Sequence, residues 1–450
     1  MQSLNCSDES LDKSEQILVA VPQSTIALFS SGDLFEDFHD TIGVSLETFR
    51  DELTGGWLFN YVDALRQAGV QTVLFFVSAR VSETLRFTHV ATGAKVCVLP
   101  APKIYRAIRD YTSRFTLFSG FKSTLASYLA TPLGLLSREL RRESCEAILC
   151  QEHEYVRFDV CVLLGQFMRL PVFATFQGKR DHKSRLEDIV RPFALRACTG
   201  LIIAPQTEIE RVRACYGMPT AKIARIFNPM DVASWRAIDR NEARAVLQIP
   251  IAARVVMYHG RIDIGQKGLD ILLDAWNQVC CQRPEKDLRL LLVGTGSDAN
   301  ELRQRIATMQ LRGVLWVDEY VRDRTAIQRY LSAADVYTLP SRYEGFPVAP
   351  IEAMACGLPV VAADASGVSD IFEGGEASGG LVVPCGDATA LALELGRVLD
   401  DEAWGRELGK RARCRVEEYF SSEVIGKQLR DFLLNQKVPS EQCKVEAIRL

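Results

Sequence analysis

The strongest constraint on the fold is an alternation of short apolar runs with longer amphipathic stretches, which occurs twice along the chain. The apolar runs read as buried strands, and they lie at Ile17–Val21, Thr72–Val77, Ala147–Leu149, Val172–Thr175, Leu201–Ala204, Arg254–Tyr258, Leu288–Val293, Val314–Val317, Val336–Leu339 and Val360–Ala363. The stretches with helical spacing lie at Leu58–Gln67, Ile209–Cys215, Leu269–Cys280, Asn300–Thr308, Arg324–Ala333, Pro350–Cys356 and Val416–Asn435. Near-continuous apolar strands that alternate with helices predict parallel sheets covered on both faces.

The two series predict an α/β protein of two doubly wound, Rossmann-like domains that face each other across a cleft. We expect a disordered tail over residues 1–14, a first domain over 15–235 and a second over 250–415. A last helix over 416–436 is expected to cross back to the first domain. Ligands of such sheets bind at the carboxyl ends of the strands, so the cleft is the predicted site.

Composition narrows the class of protein. The chain has 450 residues, 48% hydrophobic and 24% charged, which is ordinary for globular domains and excludes disordered or fibrous proteins. A net charge of -4 argues against a general nucleic-acid binder. The 13 cysteines form no CxxC pair, which is typical of a reducing compartment such as the cytoplasm. The polar N-terminus and the lack of a long apolar window predict neither a secretory signal nor a membrane span.

Two glutamates stand out in the loop and helix that follow the strand Val336–Leu339. Glu344 lies in the loop, and Glu352 lies in the first turn of the next helix. Amide N–H groups at a helix start can hold an anion. Carboxylates beside such a site are poor ligands for phosphate but good acceptors for the hydroxyls of a ribose or a sugar. The alternative is a loop glutamate and a helix-start glutamate favoured by the helix dipole.

The spacing of Glu344 and Glu352 resembles the E-x7-E signature of the retaining glycosyltransferases of family 4, which have the GT-B fold. Further segments that resemble this family are Thr54-Gly55-Gly56, Asn228-Pro229-Met230-Asp231, Tyr258–Leu272 with Arg261 and Lys267, Leu291–Gly296, and Ala353–Ala362. The C-terminal half matches strongly and the N-terminal half loosely. The resemblance implies a metal-independent transferase in which the second domain holds a nucleotide sugar.

The resemblance implies roles for residues at strand ends. Glu344, Arg261 and Lys267 are the implied catalytic residues. The implied donor-binding residues are Glu352, Gly345, Phe346, Val348, Gly294, Gly55 and Gly56. The two cations also suit this task physically, because arginine offers planar paired donors and lysine a mobile point charge to a leaving diphosphate.

The chain departs from the family pattern at two places. About 30 residues (23–53) separate the first predicted strand from Gly55-Gly56, where relatives have about ten; we interpret them as an ordered surface insertion, with a lid or an acceptor pocket as the alternatives. Many relatives carry a histidine after the strand Val172–Thr175, where this chain has Gln177. Glutamine can hydrogen-bond a sugar but cannot act as an acid or base.

Two histidines follow strands. His153 lies between Glu152 and Glu154 and is a candidate for the acceptor side, with a structural role as the alternative. His259 is interpreted as structural. No D-x-D triplet and no His/Cys/Asp cluster is present in the sequence, so no metal site and no cofactor are predicted. The nucleotide sugar is a co-substrate.

Residues 103–142 combine cations with leucines. Lys103, Arg106, Arg109, Arg114 and Lys122 precede Leu125, Leu129, Leu133 and Leu136, which have helical spacing. Residues 100–200 hold 16 Lys/Arg against 10 Asp/Glu, a net +6. This pattern predicts peripheral contact with the inner face of an anionic membrane, with a core-facing helix as the alternative.

The predicted function is transfer of a hexose-type sugar, with retention, from a nucleoside-diphosphate sugar to an unidentified lipid, saccharide or small-molecule acceptor. A nucleotide-sugar epimerase on the same fold would need acid/base groups in the first domain, where only Glu152, His153 and Glu154 are candidates. A catalytically silent scaffold would have no need of intact Arg261, Lys267 and both glutamates. A dehydrogenase is excluded, because the first predicted strand is not followed by GxGxxG.

Overall fold

The computed structural model describes residues 24–30, 32–53, 57–114, 119–178 and 184–435. Its strands form an eight-stranded and a six-stranded sheet. The strands are β1 (Thr25–Phe29), β2 (Gln71–Ser78), β3 (Leu85–Thr88), β4 (Lys95–Pro100), β5 (Cys145–Cys150), β6 (Val172–Thr175), β7 (Gly200–Ile202), β8 (Ile223–Ala224), β9 (Arg254–His259), β10 (Leu288–Val293), β11 (Val314–Val317), β12 (Val336–Leu339), β13 (Val360–Ala363) and β14 (Gly380–Val383).

The helices lie between and after the strands. They are α1 (Phe35–His39), α2 (Leu46–Asp51), α3 (Trp57–Gln67), α4 (Lys103–Arg114), α5 (Ser119–Leu129), α6 (Leu133–Arg142), α7 (Val156–Met168), α8 (Arg185–Ala197), α9 (Gln206–Tyr216), α10 (Arg240–Val246), α11 (Ile264–Lys267), α12 (Leu269–Gln282), α13 (Ala299–Thr308), α14 (Arg324–Ala333), α15 (Ala349–Ala355), α16 (Val368–Ile371), α17 (Ala388–Asp400), α18 (Glu402–Tyr419) and α19 (Ser422–Leu434). We call the eight-stranded sheet with α1–α9 the first half, and the six-stranded sheet with α10–α18 the second half.

Both sheets have doubly wound strand orders. The first runs β3-β4-β2-β1-β5-β6-β7-β8, and the second runs β11-β10-β9-β12-β13-β14. Each is covered on both faces, since neighbouring residues of one strand enter opposite cores: Ala27 packs into one core of the first sheet and Leu28 into the other. The predicted fold class is confirmed. Among the described strands, β3 alone is not parallel to its neighbour: it is a largely exposed edge strand that runs antiparallel to β4.

The start of the first sheet differs from the prediction. The predicted strand Ile17–Val21 and the tail 1–14 lie outside the described residues. The first described strand is β1, which lies at the centre of the first sheet between β2 and β5. It falls inside the segment interpreted as a surface insertion. Residues 26–28 of β1 are fully buried. Such an uninterrupted apolar run is typical of an inner strand, because an inner strand of a parallel sheet is covered on both faces.

The predicted helix Val416–Asn435 is two helices. The break lies at Phe420 and Ser421, because their backbone groups serve a neighbouring turn: the Phe420 carbonyl accepts a hydrogen bond from the Met230 N–H at 2.8 Å, and the Ser422 N–H donates to the Met230 carbonyl at 2.8 Å. Ser421 then caps α19 through its hydroxyl. The apolar face of α19, with Ile425 buried, packs into the core of the first half.

The leucines of residues 103–142 also fall on two helices rather than one. α5 ends at Leu129 and α6 begins at Leu133, with Pro132 at its N-cap. Leu136 is fully buried, whereas Leu125 and Leu133 are exposed. The side chains of Arg114 and Lys122 lie outside the described residues. No helix within the described ranges is long and apolar enough to cross a membrane.

Candidate active site

The carboxyl ends of β9 and β12 bring Lys267 and Glu344 together. Lys267 ends the short helix α11, and Glu344 lies in the loop after β12. The Lys267 Nζ lies 2.7 Å from the Glu344 Oε1, and the Ser341 hydroxyl donates to the same oxygen at 2.6 Å. The side chains are only 17% and 6% exposed. A mostly buried carboxylate of this kind depends on its cation, since either charge alone would lose its hydration without compensation.

The second glutamate pairs with a histidine. Glu352 lies in the first turn of α15, and its Oε2 lies 2.8 Å from the Nε2 of His259 at the end of β9. The interpretation of His259 as structural stays a prediction; in the structure it pairs with Glu352, and both residues line a cavity in the cleft. The two residues are 93 positions apart in the chain, so sequence spacing alone offered no signal for the pair.

Arg261 differs from Lys267 in its exposure. Its side chain is 60% exposed, and its guanidinium donates to the Gln266 Oε1 at 2.6 Å. The loop that carries it is fixed by the Tyr258 hydroxyl, which donates to the Arg261 carbonyl at 2.9 Å. Burial raises the pKa of Tyr258 well above its ordinary value, so this hydroxyl keeps its proton. Arg261 therefore lies at the open edge of the site as an accessible cation.

The two halves touch through a pair of glycines. Gly178 follows β6, and Gly345 lies in the loop after β12. A Cβ on Gly345 would lie 2.3 Å from the Gly178 Cα, and Gly178 itself has φ +99°. Larger residues are therefore excluded at both positions. The predicted site residue Gly345 thus holds the loop of Glu344 against the first half.

Other predicted donor residues have different surroundings. Phe346 is buried and stacks on Phe227 at 5.4 Å between ring centroids. Val348 lines the cleft cavity. Gly294 lets the loop after β10 pack on the loop after β9, since a Cβ there would lie 2.0 Å from the Gly260 carbonyl oxygen. The glycines at 55 and 56 lie outside the described residues.

Gln177 belongs to a polar network between segments of the first half. Its amide exchanges hydrogen bonds with the Asn228 amide at 3.2 and 3.0 Å. The Tyr61 hydroxyl donates to the Asn228 Oδ1 at 2.8 Å. The Gln177 Nε2 also lies 3.1 Å from the Thr175 hydroxyl. The N–H groups of the Gln177 amide are thus engaged with protein acceptors, and this side chain orders the loop that carries Gly178.

His153 lies in a fully buried charged cluster below the loops of the first half. Its ring nitrogens lie 3.4–3.5 Å from carboxylate oxygens of Glu152, Glu154 and Glu208. Burial alone would lower the pKa of His153, but the hydrogen bond to Glu154 and the charges of the three carboxylates raise it. His153, Glu154 and Glu208 have the ligand-atom spacing of a metal site. Arg211, however, already donates to both Glu154 and Glu208 at 2.6 Å, so each of these carboxylates has a protein cation as its partner.

A cavity of about 370 Å³ lies between the halves, next to Glu352 and His259. Its lining includes Phe38 and Ile42 of the segment 32–53 from the first half, and Tyr320 and Arg322 from the second half. The interpretation of this segment as a surface insertion is wrong, since it carries core residues as well as the cavity wall. Tyr320 follows the end of β11, so the strand-end rule could have found it.

Comparisons with known proteins agree with this architecture. The family model described as Glycosyl transferases group 1 matches residues 253–401. The chain is 30% identical over 282 residues to the phosphatidyl-myo-inositol mannosyltransferase of Mycolicibacterium smegmatis, a match that covers 62% of this chain and 69% of that protein. It is 28% identical over 260 residues to the lipopolysaccharide core biosynthesis mannosyltransferase LpsB of Rhizobium meliloti, covering 57% of this chain and 70% of the relative.

Solved structures share the fold. The Anabaena protein HepE in complex with UDP superposes with a TM-score of 0.67 at 18% identity, covering 92% of this chain and 100% of that one. The sucrose-phosphate synthase of Thermosynechococcus elongatus superposes with a TM-score of 0.63 at 22% identity, covering 90% and 97%. With the sequence matches, these likenesses show that the chain belongs to the group 1 glycosyltransferases, the family 4 type with the GT-B fold, and is a glycosyltransferase.

Proposed function

We propose that this glycosyltransferase moves a hexose from a nucleoside-diphosphate sugar to an acceptor with retention of anomeric configuration. The observation that carries the proposal is the position of two side-chain pairs at the carboxyl edge of the second sheet, Lys267–Glu344 and Glu352–His259, of which the second lines a cavity in the cleft. One pair offers a cation for a diphosphate, and the other a carboxylate for hydroxyls.

Glu352 is the proposed ligand of the ribose hydroxyls. A carboxylate has about four acceptor positions, and His259 occupies one of them. Its side chain is 22% exposed, so the remaining positions are accessible from the cavity. His259 fixes the carboxylate orientation and thereby reduces the entropy lost when the ribose binds.

Lys267 and Arg261 are the proposed ligands of the diphosphate. Negative charge builds up on the leaving diphosphate as the bond from the sugar C1 to the phosphate oxygen breaks. Preorganised cations act where such charge develops, and one donor contributes roughly 3–4 kcal/mol to lowering the barrier. No metal ion or cofactor is needed in this scheme, since the two side chains supply the positive charge.

Glu344 and the backbone of Gly345 and Phe346 are proposed to orient the transferred sugar, with Gly294 and Val348 shaping the donor site. The acceptor hydroxyl then attacks C1 on the face that the diphosphate leaves. Its proton passes to the departing phosphate oxygen, which balances the step and leaves the new bond with the original configuration. No protein base is required, so the presence of glutamine at 177 is compatible with the chemistry.

The acceptor is proposed to approach from the first half, whose α4–α6 surface meets an anionic membrane. A groove there is lined by cations and exposed apolar residues together, among them Lys103, Ile104, Leu133 and Arg138. This combination favours peripheral binding to anionic lipids. Sedimentation with anionic vesicles tests it: Lys103→Glu with Arg138→Glu should release the chain, while Lys427→Glu, on α19, should not.

The experiment for the proposed reaction is a screen of UDP-, GDP- and ADP-linked hexoses for slow release of a nucleoside diphosphate. GDP-mannose is the first donor to test, because several similar proteins are named mannosyltransferases. Release from one donor that is lost in Lys267→Ala and Glu352→Ala would support the proposal. Release that both variants retain would contradict it.

A further inference from the structure

The α1–α2 segment, which we define as residues 32–53, is anchored in the first half by an aromatic cluster. Phe35 and Phe49 are buried and meet edge to face at 5.5 Å between ring centroids. Both also meet Phe76 of β2 edge to face, at 5.4 and 5.1 Å. Such ring pairs add to the stabilisation from burial. The segment is therefore a fixed part of the cleft rather than a loose loop.

The α1–α2 segment reaches across the cleft to the second half. The Arg322 guanidinium donates a hydrogen bond to the Ile42 carbonyl. Gly43 lies close to the same guanidinium, since a Cβ there would lie 3.5 Å from its Nη2. The contact joins the segment to the loop that follows β11. A ligand in the cavity below this contact therefore touches both halves at once.

The cavity walls carry an exposed aromatic side chain on each side. Phe38 of α1 is 54% exposed, and Tyr320 of the loop after β11 is 62% exposed. Both line the same 370 Å³ cavity as Glu352. Half-exposed aromatic rings lose apolar contact with water when a flat apolar group slides between or onto them. The walls thus fit a planar aromatic ligand group.

We propose that the α1–α2 segment is the first-half wall of the nucleobase subsite, with Phe38 stacking on the base of the nucleoside diphosphate. This inference rests on the proposed function, since the ribose at Glu352 leaves the aromatic part of the cavity for the base. The diphosphate is held by the second half, but part of the affinity for the nucleoside comes from the first half. Tyr320 lines the same cavity from the second half.

Isothermal titration of the full chain with UDP, GDP, ADP and inorganic pyrophosphate tests this subsite. Phe38→Ala should weaken binding of the preferred nucleoside diphosphate about 10- to 100-fold, the range for loss of one base–aromatic stack. Its affinity for pyrophosphate, which has no base, should not change. Phe38→Leu keeps apolar bulk without a ring, so its affinity for the nucleoside diphosphate should lie between those of the wild type and Phe38→Ala. Phe167→Ala is the matched control, because Phe167 is 81% exposed on α7 and does not line the cavity.

The outcomes separate the two proposals. Wild-type chain that binds a nucleoside diphosphate, with Phe38→Ala binding it equally well, would overturn the nucleobase subsite and leave the proposed reaction standing. Equal weakening of pyrophosphate and nucleoside diphosphate in Phe38→Ala would also overturn the subsite. Wild-type chain that binds none of the three nucleoside diphosphates would overturn the proposed function, and the subsite with it. Thermal unfolding of each variant shows whether the fold is intact.

Discussion

The two sides of the cleft both carry charged residues at strand ends, but they differ in accessibility. In the second half, Lys267 and Glu352 are 17% and 22% exposed and can contact a ligand. In the first half, His153 follows β5 but is fully buried among carboxylates, next to the equally buried Arg191 of α8. A position after a strand therefore does not by itself identify a binding residue. Accessibility separates charges that bind ligands from charges that hold the fold.

The buried cluster of the first half has the character of a structural network. Arg191 donates to the Asp159 carboxylate at 2.6 and 3.1 Å and to the His153 carbonyl at 2.6 Å. These bonds tie α8 to α7 and to the loop after β5. Burial raises the pKa of Asp159, and the charge and hydrogen bonds of Arg191 oppose this shift.

The largest expected effect is on stability, in the first half. Arg191→Met leaves Asp159 buried without its cation and should lower the free energy of unfolding by about 3–5 kcal/mol. Denaturant titration measures this. Arg430→Met is the control, because Arg430 pairs with Asp431 on the surface, where an ion pair contributes about 0–1 kcal/mol. An Arg191→Met variant with wild-type stability and no activity would contradict this, because Arg191 would then serve the reaction rather than the fold.

The next effect is on activity, in the second half. Lys267→Met should lower kcat/KM about 100- to 1000-fold, the effect of removing one preorganised donor from a developing charge. Lys286→Met is the matched control, because Lys286 pairs with Asp400 on an exposed surface.

Stability and catalysis can be separated at Lys267. Removing the cation leaves Glu344 uncompensated, so the single variant should also be less stable. In the double variant Lys267→Met/Glu344→Gln, stability should recover while activity stays low. Recovery of both would show that neither Lys267 nor the Glu344 carboxylate acts on the donor and that the pair only stabilises the fold.

The smallest expected effect is a pH dependence of stability from His153. The pKa of His153 is raised in the folded chain, so its contribution to stability is complete below the ordinary value of 6.5 and is lost as the pH rises through the folded value. His153→Gln should remove this loss, as measured by denaturant titration between pH 5.5 and 9. Burial lowers the pKa of His39, so its contribution to stability is lost as the pH falls below 6.5. This contribution is present in both the wild type and His153→Gln and does not affect their difference. Identical dependence of stability on pH in the wild type and in His153→Gln would contradict a raised pKa of His153 in the folded chain.

Much of the second half could be predicted, because its strands are continuous apolar runs. β10, β11, β12 and β13 have the predicted bounds. β3 could not be found this way, since its residues are largely exposed and it is held by pairing with β4. The last turn of α18 and the whole of α19 were predicted as one helix over Val416–Asn435, because the break between them depends on hydrogen bonds to Met230, far away in the chain.

The candidate site also has features that local sequence predicts and features that depend on contacts between distant segments. Glu344, Glu352 and Lys267 were predicted as site residues from the resemblance of their local motifs to the family, and the structure places them at strand ends beside the cleft, while their roles stay a prediction. The pairing of Glu352 with His259 and the cavity wall at Phe38 could not be predicted in this way, because both depend on contacts between distant segments. The packing of Phe35 and Phe49 of the α1–α2 segment against Phe76 is likewise a tertiary effect.

The most direct test of the account is the equilibrium affinity of the full chain for its preferred nucleoside diphosphate, compared between wild type, Glu352→Ala and Glu376→Ala. Glu376 is an exposed glutamate of the second half, 49% accessible and 3.7 Å from Arg397. The account predicts at least tenfold weaker binding for Glu352→Ala, as expected for lost hydrogen bonds to a charged acceptor, and no change for Glu376→Ala. Equal affinities in all three proteins would contradict the placement of the donor at the second half of the cleft.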